Sequence, residues 1–527
     1  MNNTTFRCSS VVGRTISRMF SSKHSYEEAV RKLNSLQSLK ARLEEIVKEI
    51  KAGKKCTNME DMENYLLRTG VTLSNLDELS VIHVAGTKGK GSTSAMCESI
   101  LRRHGLRTGF YSSPHLVAVR ERIRLGGRVL GEDEFAKYFH EVYDKLEATQ
   151  AFEGDMPTYF LFLTVLAYNV FLREKVDVAV VEVGIGGALD ATNVIRKVPV
   201  VGITALGLDH TAILGTTLPQ IAAAKAGIMK PGCEAYTVRQ PPDAMAVLKQ
   251  VADDVKCTLN VVPDYKSYSF PNGYKTRLQN NLDAFHTNAS LAIQLAHSWL
   301  RINQLQTLNL RNALKRNIVN SKVIQNGYKN LDAPYGVDVE KSFCDGMVVQ
   351  IPNETAQGLS ECRWPGRYHE VESTYAKFYL DGAHTKESIE ICTKWFSDNN
   401  RNPEKILIFS VTGDRKPEVL LKPLVDLNFS HVYFVVPTAY KTVNEHNDNY
   451  SKVEQADFIS RCERNAEAWT QLNENTGPSN ISVLDCVHEA LVSIKNNNKN
   501  GNVSVLVTGS LHLVGATLCI LDPNLNT

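Results

Sequence analysis

Leu79-Ser80-Val81-Ile82-His83-Val84-Ala85, followed by Gly86-Thr87-Lys88-Gly89-Lys90-Gly91-Ser92, is the stretch that decides the fold class. Residues 79–85 form a short apolar run of strand type. Residues 92–104 read as a helix, with Gly105 placed to cap its end. A glycine-rich turn between a strand and a helix is the context a phosphate-binding loop needs. Glycines let backbone amides turn inward around phosphate oxygens, and the helix N-terminus adds partial positive charge. In this loop Lys90 is placed for the outer phosphates of a nucleotide and Ser92 for a magnesium ion. The spacing departs from the common pattern, because Gly91 separates Lys90 from the hydroxyl residue. The plain alternative is a glycine turn with a structural role only.

Working outward, residues 177–183 and 200–204 are further apolar strands. They lack period-two alternation, as expected when both faces of a parallel sheet are covered. Helical stretches at 132–146, 157–172 and 218–229 lie between and around them, and helical patterns at 46–51 and 61–67 precede the loop. This alternation predicts a large α/β unit with a mostly parallel, doubly wound sheet. Residues 261–361 are less regular and hold one clear helix, 288–300. Alternation resumes with strands at 377–380, 406–411, 431–436 and 503–507, and helices at 386–396, 454–472 and 487–494. The predicted organisation is a P-loop domain over 26–362 and a smaller Rossmann-like α/β domain over 363–527. The polar run 438–449 reads as a surface loop.

Of the 527 residues, 43% are apolar and 22% charged, which excludes a largely disordered chain. A formal net charge of +2 argues against a dedicated nucleic-acid binder. The 11 cysteines include no CxxC and no zinc-like spacing, so they read as thiols in a reducing compartment. No apolar run reaches the ~18 residues of a membrane span; residues 161–172, which include Asn169, read as a buried core helix. Residues 1–25 carry Arg7, Arg14, Arg18 and Lys23, are rich in Ser and Thr, and have no acid before Glu27. That composition is a mitochondrial transit peptide's, with an unaddressed tail as the alternative. Starting at Met19 would remove most of the basic stretch and leave a cytosolic form.

Four further groups carry candidate chemistry. Val181-Glu182-Val183-Gly184-Ile185-Gly186-Gly187 ends a strand in a carboxylate, where open α/β sheets bind ligands and where Glu182 could hold a hard cation. Asp209-His210 follows another strand, so His210 could join Glu182 at a metal. Lys225 lies within Ala222-Ala223-Ala224-Lys225-Ala226-Gly227-Ile228, a small-residue helix that packs closely; a snorkelling lysine is the plain reading. In the second unit, Trp364-Pro365-Gly366-Arg367 presents a guanidinium suited to phosphate. Asp381-Gly382-Ala383-His384 again ends a strand, and Asp381 suits ribose hydroxyls or an amine.

In order, GTKGKGS, SSPHL (112–116), RERIR (120–124), VEVGIGG, LDH, KAGI (225–228), WPGR and DGAH resemble the motifs of folylpolyglutamate synthases, of the Mur ligase superfamily. VTGDRKPE from Val411 and VLVTGSLHLVG from Val505 resemble the family too, and the likeness spans 26–520. The resemblance implies an ATP-dependent amide ligase. It would activate the γ-carboxylate of a reduced folate as an acyl phosphate and join it to L-glutamate. It implies that Gly86, Thr87, Lys88, Gly89, Lys90, Gly91 and Ser92 hold ATP, and that Ser113, Glu182 and His210 bind Mg2+. A monovalent cation such as K+ is a further implied cofactor. Lys225 looks like the lysine the family carbamylates. Arg367 and Asp381 would contact ATP, Asn288 matches a nucleotide-side position, and His384 would lie near the incoming glutamate. The family's usual Gln near Asn288 is absent, and Ala224 stands where an acid or amide is common. Two rivals remain: a dihydrofolate synthase, alone or as a second activity, and a nucleotide-binding regulator without catalysis. The implied enzyme is a monomer acting on small molecules, in mitochondria and cytosol, with no stable membrane insertion.

Overall fold

The computed structural model describes residues 25–37, 58–271, 278–318, 349–411, 415–452, 455–474, 479–498 and 501–525. The expected leader, Met19 and the helical pattern at 46–51 lie outside them. The fold is α/β with two main sheets among the described residues. The larger contains β1 (Val81–Ala85), β2 (Thr108–Tyr111), β3 (Ile123–Leu125), β4 (Arg128–Val129), β5 (Val178–Glu182), β6 (Val200–Ile203), β7 (Glu234–Thr237) and β8 (Thr258–Val261). Its order is β4-β3-β2-β5-β1-β6-β7-β8. The pairs from β2 to β8 are parallel, and only the β2–β3–β4 edge is antiparallel. Glu182 and the turn after β1 therefore sit at the same end of adjacent strands.

The missing period-two pattern has a direct cause. Val81, Ala85, Ala179 and Val181 face one apolar core, while Ile82, Val84, Val178 and Val180 face another across the sheet. With apolar partners on both sides, neither face selects polar residues. The apolar stretch expected as a core helix is Tyr159–Arg173, with Phe162 and Leu166 fully buried. Asn169 is accommodated because its amide donates to the Val165 carbonyl and the Thr69 hydroxyl, at 2.9 and 3.0 Å. No described helix is long and apolar enough to cross a membrane.

After β9 (Tyr268–Ser269) and β10 (Val349–Gln350), which pair with each other, come β11 (His369–Glu372), β12 (Lys377–Leu380), β13 (Glu404–Phe409), β14 (His431–Val435), β15 (Asn480–Leu484) and β16 (Val503–Thr508). They form a second sheet, β11-β12-β16-β13-β14-β15, parallel except at β11–β12. Two expectations need correction. The mid-chain helix runs Asp283–Ile318, well past 288–300, because an established helix propagates at little further cost per residue even through polar-rich sequence. The helix after β1 begins at Lys90, two residues before Ser92.

The run 438–449 is more than a solvated loop. The Asp448 carboxylate accepts from the Tyr26 hydroxyl and from the Val119 amide, the latter at 2.6 Å. The Asn449 side chain donates to the Leu116 and Val117 carbonyls, at 3.0 and 3.1 Å. Asn34, on the helix Tyr26–Ser35, donates to the carbonyls of Glu445 and Asn447. The loop thus clasps the lobe of the second sheet to the lobe of the first. Its polar composition meets buried backbone groups as well as water.

Candidate active site

The glycine turn after β1 is held by β6's continuation. The amides of Thr87 and Lys88 both donate to the Ala205 carbonyl, at 3.0 and 3.1 Å. The Thr87 hydroxyl and Gly207 complete that contact. Lys88 reaches across to Glu387 at 3.0 Å, so its charge links the two lobes. The first-turn amides of the helix Lys90–Arg103 have no partner within that helix. These amides, with Lys90, are what the loop offers an anion. The departure at Gly91 has a steric cause, since a Cβ there would lie 3.0 Å from the Trp364 ring. Gly89 caps the helix at φ +89°, and a Cβ on it would collide with the Asn288 carboxamide. Asn288 is therefore packed against the loop, while Ser92 is buried in the helix's first turn. His286 stacks on Tyr265, ring centroids 4.8 Å apart and planes within 8°.

Lys225 has only 3% of its surface exposed, and its ammonium donates to the Gly86 carbonyl at 2.8 Å. Lys90 donates to the same carbonyl at 3.2 Å. Burial, then the charge of Lys90, lowers the Lys225 pKa to about 7. The lysine is not snorkelling.

Glu182 is 4% exposed, and one carboxylate oxygen accepts from the Ser113 amide at 3.1 Å. Burial pushes its carboxyl up, opposed first by Lys90 and also by Arg367. Arg367 is itself balanced by Asp381 and Glu182 from opposite lobes. Asp381 is fixed by the Tyr368 and Ala383 amides, at 3.0 and 2.9 Å. Gly91, Ser113, His115, Glu182, Trp364 and Arg367 line one inter-lobe pocket.

Burial lowers the pKa of His210, and the charges of Lys90 and Lys225 act in the same direction. His210 stands 3.8 Å from Asp209, which also faces His384 at 3.6 Å and Arg415 at 3.6 Å. Burial opposes ionisation of Asp209, yet His384 and His210 hold its carboxyl well below the usual range. Glu182 and Ser113 are thus brought together, while His210 joins an Asp209–His384–Arg415 cluster. Among the described residues no three His, Cys, Asp or Glu side chains converge on one metal position. The hard oxygens of Glu182 and Ser113 do fit a magnesium ion whose shell is completed by phosphate and water.

Sequence reasoning singled out His210 and passed over its neighbour Asp209, although both stand in the quoted LDH. It also missed Trp364's contact with the loop and Glu121, which accepts from the Leu116 and Val117 amides at 3.1 and 2.8 Å. Residues 412–414 of VTGDRKPE lie outside the described residues.

A family model described as "Dihydrofolate synthetase, C-terminal domain" matches residues 366–520. The Homo sapiens "Folylpolyglutamate synthase, mitochondrial" is 35% identical over 577 residues, covering 95% of this chain and 92% of that protein. The Neurospora crassa "Folylpolyglutamate synthase" is 35% identical over 537 residues, covering 96% and 93%. Among solved structures, the apo form of L. casei FPGS is similar in fold, with a TM-score of 0.65 at 23% identity over 94% of this chain and 98% of that one. Mycobacterium tuberculosis folylpolyglutamate synthase complexed with ADP and AMPPCP gives a TM-score of 0.62 at 22% identity, over 88% and 95%.

Proposed function

The chain belongs to the folylpolyglutamate synthase family, and from that membership we propose how its cleft adds L-glutamate to the γ-carboxylate of a folate at the expense of ATP. The observation that carries the assignment is 33–36% identity to these enzymes over nearly the whole chain. The activity is that of an ATP-dependent ligase; dihydropteroate as acceptor is the disfavoured reading.

The first-turn amides of Lys90–Arg103 and the Lys90 ammonium receive the ATP phosphates. Arg367 and Asp381 meet the nucleotide from the second lobe, and Asn288 packs beneath the loop. Glu182 and Ser113, with His210 beside Asp209 in the same cleft, are the residues that would hold magnesium. A bound magnesium ion would neutralise charge on the transferred phosphoryl group. The folate γ-carboxylate oxygen attacks the γ-phosphorus and ADP leaves. Lys90 stays with the charge that builds up. The neutral amine of glutamate attacks the acyl carbon, phosphate leaves with the bonding pair, and the amine proton passes to solvent. His384 flanks the incoming glutamate. Lys225, with a lowered pKa, supplies the neutral amine that carbon dioxide requires to form a carbamate.

The division into 26–362 and 363–527 puts ATP and folate in the cleft between them, so closure of the lobes completes the site. The enzyme acts as a monomer. The named mitochondrial relatives support mitochondrial residence, and initiation at Met19 supplies a cytosolic form. Supplying ATP, radiolabelled glutamate and either tetrahydrofolate or dihydropteroate tests the assignment. Label is expected in extended tetrahydrofolate; label only with dihydropteroate overturns it.

A further inference from the structure

Cys233 and Cys257 immediately precede the paired residues Glu234 and Thr258 of the neighbouring parallel strands β7 and β8. At this strand start the Thr258 amide donates to the Cys233 carbonyl at 3.2 Å and the Gly232 amide to the Lys256 carbonyl at 3.1 Å, while the Cys233 amide turns back to the Lys230 carbonyl. Residues so paired stand on the same face of the sheet about 5 Å apart, inside the span a disulfide bridges. Both side chains pack into the same core, with Leu248 and Ala252 of the helix Pro242–Val255. Both thiols are free.

The surroundings set this pair apart. The Lys230 amide donates to the Cys233 sulfur at 3.5 Å. Cys257, followed by that amide and the Lys230 charge, lowers the Cys233 pKa against burial, while Cys233 and burial push the Cys257 thiol up. Cys97, Cys362, Cys392, Cys462 and Cys486 are buried, and burial pushes their thiols up. β8 is the edge strand of its sheet, and Cys257 is only half-buried, which gives a small oxidant its approach.

We infer that Cys233 and Cys257 are a redox-modification site, a vicinal dithiol that hydrogen peroxide closes to an intramolecular disulfide. The thiolate of one cysteine of the pair attacks one peroxide oxygen, the O–O bond breaks, and the departing oxygen leaves as water after taking a proton, giving a sulfenic acid. The other cysteine's sulfur then attacks the oxidised sulfur and expels the sulfenic oxygen as a second water. The two sulfurs supply the two electrons, and the two thiol protons end in the waters. In the reduced state the same pair would chelate a trivalent arsenical, forming two As–S bonds with loss of water.

The test treats the full-length reduced protein with limiting hydrogen peroxide, blocks remaining thiols with N-ethylmaleimide, and maps the peptides by mass spectrometry. A Cys233–Cys257 linked peptide, lighter by two hydrogens, should appear before oxidation at any other cysteine and be absent from Cys257→Ser. Phenylarsine oxide should shield both cysteines from alkylation together in the wild type and leave Cys233 open to alkylation in Cys257→Ser. An unchanged melting temperature shows that the variant is folded. If both cysteines stay alkylatable while others oxidise, or if the link forms only in urea, the inference is overturned.

Discussion

Lys90 and Lys225 donate to one acceptor, the Gly86 carbonyl, at 3.2 and 2.8 Å. Two ammonium groups sharing a neutral oxygen repel each other, by about 4 kcal/mol at ~4 Å and an effective dielectric of 20. Burial first, and then this repulsion, lowers the Lys225 pKa to about 7.

Lys225→Ala should be nearly inactive, and acetate or formate should partly restore turnover by filling the space of a carbamate. Lys225→Arg, permanently charged, should not substitute. Strong activity in Lys225→Arg with no effect of small carboxylates would discard the carbamate and leave the rest of the site standing.

The same lysine sets a pH dependence of stability. Its folded pKa of about 7 lies below the unfolded value of about 10.4. Between those values the unfolded chain binds more protons, so this group's contribution makes stability rise with pH and then level off. Below about pH 7 both states are protonated and the penalty is constant. Thermal unfolding from pH 7 to 10 should show a rise in the wild type relative to Lys225→Met; parallel curves would place the titration elsewhere.

Lys90→Ala should lower kcat by about 100- to 1,000-fold, the scale for losing one preorganised charge contact in a transition state. The fold should survive, because the lysine's contact in the loop is the Gly86 carbonyl. Near-normal turnover would remove ATP from this loop.

Glu182→Gln should raise the magnesium concentration needed for half-maximal rate, since it replaces a buried anionic oxygen beside Ser113 by a neutral one. His210→Ala should shift that requirement less, because His210 sits with Asp209 and His384. Equal magnesium titrations for both variants would make His210 as strong a ligand as Glu182.

Asp448→Ala should destabilise the protein by about 1–3 kcal/mol, the cost of leaving a buried donor unpaired, since the Val119 amide and the Tyr26 hydroxyl both use this carboxylate. Urea denaturation measures it. An unchanged midpoint would mean that the loop 438–449 carries no load between the lobes.

The sequence by itself determined the strand–loop–helix at 79–104, the parallel sheets and the family. Those signals are local: apolar runs, glycines at a turn, and motifs in order along the chain. Helix ends were less legible, because Gly89 could be recognised as a cap only from its left-handed backbone, and the extension of the helix Asp283–Ile318 is rich in polar residues. Tertiary structure alone decided which site residues meet. Lys225 and Gly86 are 139 residues apart, and a lysine in an alanine-rich helix reads alike whether it snorkels or is buried. Its lowered pKa is a property of burial and of Lys90, neither of which is written at position 225. Asp209 acquires its partners His384 and Arg415 only when the second lobe closes against the first, and Asp448 reaches Tyr26 across 422 residues. Sequence patterns report what each segment must bury; which remote charges then face one another follows from how those buried faces pack.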